Sequence, residues 1–158
     1  QEYFVLRRHA DEVRALEYDG VATARPAPGL IEAISAADLV VIAPSNPPLS
    51  VWPILDVAGV RDAVTAADRV VAVSPLFGGK PLKGPADRVM AALKLAPGTR
   101  GILEAYEGLL STLVVDTSDR YDERLSTADT KVIAADTRMT TPEEGRTLAT
   151  WLLDTMSP

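Results

Sequence analysis

Two short stretches of apolar, largely β-branched residues stand out along the chain, 39–43 (LVVIA) and 70–73 (VVAV). Runs apolar at every position, rather than at alternate ones, are what a strand covered on both faces requires. Each follows a helix-like stretch and an Asp: 31–37 (IEAISAA) after Pro28-Gly29, and 60–67 (VRDAVTAA) after Gly59. The strand pattern returns at 112–116 (TLVVD) and 132–135 (VIAA), and 13–18 (VRALEY) is a weaker, more amphipathic strand candidate. Helical spacing marks 86–95, through Val89, Met90 and Leu93, and likewise 102–109. The last helix has the clearest start. Thr141-Pro142-Glu143-Glu144 reads as a capping box with Pro at the first helical position, and the helix should run to about Leu153.

Strands alternating with helices predict an α/β fold, a doubly wound, mostly parallel, Rossmann-like sheet with helices on both faces. In such sheets ligands sit at the carboxyl ends of strands, where strand order switches direction. That directs attention to the loops after Ala43, Val73, Asp116 and Ala135. The polar stretch 117–130 (TSDRYDERLSTADT) reads as a flexible solvent loop or hairpin. No internal repeat or low-complexity segment interrupts the pattern. Residues 1–158 read as one α/β domain or as the C-terminal half of a larger α/β enzyme, because the chain opens without Met and already in an apolar run (QEYFVL).

Composition removes several chemistries. The chain has no cysteine, which excludes disulfides, thiolate metal sites and thiol nucleophiles and agrees with a reducing cytoplasm. Its one histidine, His9, excludes His-rich metal centres and reads as a surface or rim residue. A net charge of −6 argues against a nucleic-acid partner, since phosphate backbones are bound through clustered Lys and Arg. No apolar run approaches the roughly 18 residues that span a bilayer, so no membrane partner and a cytoplasmic location are expected. Any anion site must be local.

Two loops supply candidates. Pro44-Ser45-Asn46-Pro47-Pro48-Leu49-Ser50 follows the first buried run directly. Its proline pair stiffens the backbone while Ser45 and Asn46 offer short polar groups, and Ser50 is placed to cap a helix through Trp52 with Pro53 in its first turn. Composition alone would also make this a plain turn. The second loop, 74–88 (SPLFGGKPLKGPADR), follows the second buried run. Gly78-Gly79 permits close backbone approach, Lys80 and Lys83 supply charge, Gly84-Pro85 opens a helix, and Arg88 could fork onto a phosphate with Asp87 beside it. The plainer reading is a surface loop with solvated lysines. It matches neither a Walker loop nor the Rossmann glycine spacing.

Asp116 and Asp136-Thr137 also end strand candidates, and turn or cap formation is the favoured role for Asp116. Trp52 reads as a core anchor and Trp151 as packing. With no Cys, one His and no Gly-x-Ser-x-Gly elbow, triad hydrolysis is disfavoured. Phosphoryl transfer needs no protein nucleophile and suits two fixed loops beside lysines.

In this order and spacing, both loops resemble the C-terminal half of the 2-phospho-lactate transferase family. The likeness extends to the first five residues, to Gly108-Leu109-Leu110, and to Asp136-Thr137 with Met139. The resemblance implies transfer of a phospho-lactyl or phosphoenolpyruvyl phosphate unit from a guanosine-diphosphate-linked donor to the ribityl hydroxyl of the deazaflavin Fo, releasing GMP with Mg²⁺ present. It implies that Ser45, Asn46, Pro47 and Ser50 hold the donor. Gly78, Gly79, Gly84, Lys80, Lys83 and Arg88 would complete that site, the three cations facing phosphate or acid. Asp87 and Asp136 are the catalytic candidates. No metal ligand is identified, and Mg²⁺ is expected on the family's N-terminal half, so whether this chain acts alone stays open. Lactyl and enolpyruvyl donors are not distinguished, and a homodimer is compatible. Trp52 departs from the glycine usual in the family. The alternative is a regulatory protein of related fold that binds uridine-diphosphate sugars without catalysis, although such proteins usually lack the two-lysine loop. A third reading is a structural half-domain that completes a sheet.

Overall fold

A computed structural model of the protein describes residues 2–8, 10–82 and 84–156. Six strands follow one another along it: β1 (Val40–Ile42), β2 (Val70–Val73), β3 (Leu76–Phe77), β4 (Lys80–Pro81), β5 (Thr112–Asp116) and β6 (Lys131–Ala135). Four of them form one all-parallel sheet in the order β1-β2-β5-β6, while β3 and β4 make a separate antiparallel hairpin. The register places Val41 beside Val71, Val71 beside Thr112, and Val114 beside Ile133.

The helices are α1 (Leu30–Ser35), α2 (Trp52–Leu55), α3 (Val60–Thr65), α4 (Ala86–Ala92), α5 (Thr99–Ala105) and α6 (Pro142–Met156). They cover both faces of β2 and β5, as the unbroken apolar runs there require. β1, expected to be buried, is instead half-buried at Val40 and Ile42 and exposed at Val41, because it ends the sheet. Val70, Ala72, Leu113 and Val115 pack in one cluster with Leu55, Val64, Met90 and Ile102, while Val71, Val73 and Val114 meet Leu148 and Leu152 of α6 on the other side. Alternate residues of one strand therefore enter two different cores. The predicted capping box at α6 is present. Glu144 Oε2 accepts from the Thr141 N–H at 3.0 Å, and the Glu144 N–H donates to Thr141 Oγ1 at 3.3 Å.

Three expectations are corrected. The segment 13–18 forms no strand. Its half-buried residues Val13, Leu16 and Tyr18 do not alternate, no strand of the described residues pairs with them, and the Tyr18 hydroxyl donates instead to the Pro48 carbonyl. The stretch expected as a loop or hairpin contains a 3-10 helix, Thr117–Leu125. Asp116 caps it, Leu125 packs against the core, and Glu123 Oε1 accepts the Ala134 N–H at 2.9 Å, so local hydrogen bonds order a segment too polar to announce itself. Lastly, the four strands run in chain order without reversal, so the described sheet contains no switch point. All four carboxyl ends nonetheless share one edge. Among the described residues no helix is long and apolar enough to cross a membrane.

Candidate ligand-binding site

The first loop is built around Asn46. Its backbone is extended (φ −67°, ψ 115°), its side chain accepts the Leu49 N–H at 3.2 Å, and its carbonyl accepts the Ser50 N–H at 2.9 Å. Asn46 is therefore the cap expected of Ser50, which lies inside the helical turn Pro47–Val51 and cannot adopt the extended geometry a cap needs. Pro47 and Pro48 are almost wholly buried, and α2 continues from the turn with a proline in its first turn. Trp52 points inward. Its ring packs against the core and its Nε1–H donates to the Ala105 carbonyl at 2.9 Å, so the anchoring role expected of it is the one observed.

The second loop leaves β2 through the buried Ser74, whose N–H donates to the Val114 carbonyl at 2.8 Å. It then forms the β3–β4 hairpin, with Leu76 opposite Pro81 and Phe77 opposite Lys80. Gly78 and Gly79 fill the tip at φ 60° and 74°, the two positive angles that a tight two-residue hairpin turn demands. Lys80 is exposed on β4. Lys83 lies outside the described residues. Gly84, at φ 81°, precedes Pro85 and α4; Asp87 and Arg88 are exposed there, and Asp87 Oδ1 accepts the Arg88 N–H at 2.8 Å.

Asp116, at the end of β5, joins these parts. Its Oδ1 accepts from the Ser118 N–H at 2.9 Å and from the Ser118 hydroxyl at 2.6 Å. Its Oδ2 is reached by the Thr137 N–H at 3.4 Å and hydroxyl at 3.3 Å. Burial alone would raise the pKa of this carboxyl, but the bonds from Ser118 and Thr137 outweigh it and hold the group below its ordinary value. The Ser118 hydroxyl oxygen in turn accepts the Gly78 N–H at 2.9 Å. Asp119 behaves oppositely. It is buried, its Oδ2 has no hydrogen-bond partner, and burial pushes its pKa up, even though the Gly79 and Gly78 N–H groups oppose the shift; Asp122 and Asp116 add to it. Asp136 is exposed, and its Oδ1 accepts the Arg138 N–H at 3.3 Å. The Arg138 guanidinium lies 5.4 Å from the centroid of the Phe77 ring.

At the carboxyl edge these loops enclose a cavity of about 560 Å³. Asn46 and Ser50 come from the first loop; Pro75, Phe77, Leu82 and Gly84 come from the second; Thr137 and Met139 follow β6. Of the candidates read from the sequence, Asn46, Ser50 and Gly84 line it. Ser45, Pro47, Gly78, Gly79, Lys80, Arg88, Asp87 and Asp136 do not line it. The walls are mainly apolar, and Phe77 and Leu82 were not singled out by sequence reading. Their signal was two large apolar residues retained in a loop otherwise made of Gly, Pro and Lys. A cavity with apolar walls and a few convergent polar groups suits a flat ring with a polar edge. No group of three or more His, Cys, Asp or Glu side chains placed to hold a metal ion occurs among the described residues. A second cavity, about 780 Å³, opens near the amino ends of β2, β5 and β6 beside Asp68, Glu104, Glu107 and Asp129, and holds none of the candidates.

Comparison with known proteins finds relatives among named transferases. A phosphoenolpyruvate transferase of Kitasatospora aureofaciens is 42% identical over 123 residues, covering 77% of this chain and 38% of that protein. A 2-phospho-L-lactate transferase of Methanosarcina mazei is 34% identical over 150 residues, covering 94% of this chain and 49% of its own length. A phosphoenolpyruvate transferase of Thermobifida fusca is 37% identical over 155 residues, covering 94% and 45%. The chain thus spans half or less of the length of these relatives. Among solved structures, protein BH3568 of Bacillus halodurans aligns with a TM-score of 0.40 and 22% identity over 78% of this chain and 38% of that one. The profile of the family described as 2-phospho-L-lactate transferase CofD matches residues 1–152, and the chain belongs to that family of transferases.

Proposed function

We propose that the protein containing this chain transfers a phospho-lactyl or phosphoenolpyruvyl phosphate unit from a guanosine-diphosphate-linked donor to the ribityl hydroxyl of a deazaflavin, and that the 560 Å³ cavity receives the donor. The observation that carries this reading is the convergence of Asn46, Ser50 and Gly84, from two loops more than 30 positions apart, on one cavity. Phe77, Leu82 and Met139 offer apolar faces to the guanine ring, and Asn46 and Ser50 offer polar groups to its edge or ribose. Lys80, Lys83 and Arg88 would neutralise the diphosphate, a role proposed on charge.

In the step itself the acceptor oxygen bonds to the phosphorus that bears the acid unit. The bond between that phosphorus and the bridging oxygen breaks, GMP leaves with the oxygen, and the hydroxyl proton passes to a base or to water. Positioning and charge neutralisation carry most of such a reaction. Asp136, next in sequence to the cavity-lining Thr137, is the better placed of the two carboxylate candidates to orient the acceptor hydroxyl. Mg²⁺ would neutralise phosphate charge when bound.

The test uses the full-length protein with donor, deazaflavin and Mg²⁺, reading GMP release. Ser50→Trp, which fills the cavity from an exposed position, should cut turnover about tenfold or more while leaving the unfolding midpoint in place. Full turnover with the cavity filled would contradict the assignment.

A further inference from the structure

We infer that Asp116, which does not line the cavity, is the positioning residue that ties two of its walls together. A carboxylate that merely ends a strand needs only its own turn, and Ser118 supplies that through two bonds to Oδ1 at 2.9 and 2.6 Å. Asp116 does more. The same Ser118 hydroxyl accepts the Gly78 N–H at 2.9 Å, which carries the link to the tip of the hairpin whose Phe77 forms one wall. Oδ2 reaches 21 residues along the chain to the N–H and hydroxyl of Thr137, a residue of the wall after β6. One buried carboxylate thereby holds the turn of the second loop and the loop after β6 in fixed relation. Hydrogen bonds to an ionised carboxylate are stronger than neutral ones, and Asp116 is held in its ionised form by the same bonds. The Thr137 contacts are the longer and weaker arm.

The linkage predicts a pattern that a simple cap would not give. In amide-resolved hydrogen exchange on the full-length protein, Ser118→Ala should lower protection of the Gly78 amide about tenfold and leave Thr137 unchanged. Asp116→Asn should lower both. A second arm rests on the function proposed above: in Ser118→Ala the KM for the guanosine-linked donor rises about tenfold with kcat within about twofold. Ser118→Thr, which keeps the hydroxyl, should restore both KM and protection. Unchanged Gly78 protection in Asp116→Asn would overturn the inference. An unchanged KM in Ser118→Ala while Gly78 protection falls would uphold the linkage and contradict the cavity as the donor site. Absence of turnover in the unaltered protein would count against the proposed function alone, and the exchange results would then decide the linkage.

Discussion

The indole N–H of Trp52 donates to the carbonyl of Ala105 at 2.9 Å, joining the helix of the first ligand loop to the end of α5. That bond satisfies one of the carbonyls a helix end leaves without an internal partner. Trp52→Phe keeps most of the ring and loses the donor, so it should cost about 1 kcal/mol. Trp52→Gly removes the ring as well and should cost about 3 to 5 kcal/mol. Because the ring packs against the core and does not line the cavity, Trp52→Phe should leave ligand affinity unchanged. Denaturant midpoints and a titration of the same variant check both halves.

Asn46 sets the geometry of the loop between β1 and α2 through its bond from the Leu49 N–H. Asn46→Ala should cost about 0.5 to 2 kcal/mol, and Asn46→Asp should recover most of that. Equal midpoints for Asn46→Ala and the unaltered protein would remove Asn46 from its capping role.

Two carboxyls give opposite pH dependences. The Glu144 pKa is lowered, first by the Thr140 hydroxyl and N–H and the Thr141 N–H. Its contribution is therefore present above the ordinary glutamate value and lost as pH falls through the lowered one. The Asp119 pKa is raised by burial, so its contribution is present below the ordinary aspartate value and lost as pH rises through the raised one. Asp119→Asn should accordingly raise the denaturation midpoint at neutral pH and change it little near about pH 3. Glu144→Gln should lower the midpoint at neutral pH and flatten its fall in acid. Midpoints measured across that range test both signs.

Glycines divide by what surrounds them. A Cβ on Gly101 would lie 1.8 Å from the Ala96 carbonyl oxygen and 2.9 Å from its carbon, both backbone atoms that cannot swing aside. Gly101→Ala should cost about 3 kcal/mol or more. In the interior of α6, Gly145 has only Met139 Sδ nearby, at 3.7 Å, so Gly145→Ala should stabilise by about 0.5 to 1 kcal/mol. Thermal unfolding of the pair should move in opposite directions.

The strands were legible because burial on both faces leaves an unbroken apolar run, and no other pressure on 70–73 or 112–116 competes with it. Gly78-Gly79 was visible as a flexible pair, yet its reading as a close-approach loop missed the hairpin. The flanking pairs Leu76-Phe77 and Lys80-Pro81 are too short to carry alternation. The helix Thr117–Leu125 was hidden for a related reason: its order comes from the cap at Asp116 and the bond that Glu123 accepts from β6, not from any apolar stripe. Asn46, Ser50 and Gly84 could be named in advance because Pro and Gly punctuate their loops. Phe77 and Leu82 could not, since whether an apolar loop residue faces a core or a cavity is decided by partners distant in sequence.

The claim beneath the functional account is that these loops select a guanosine diphosphate. Calorimetric titration of the full-length protein with GDP and, separately, with a uridine-diphosphate sugar measures that selectivity directly. The account predicts tighter binding of GDP by about tenfold or more, equivalent to roughly 1.4 kcal/mol. Equal affinities, or a preference for the uridine-diphosphate sugar, would contradict it.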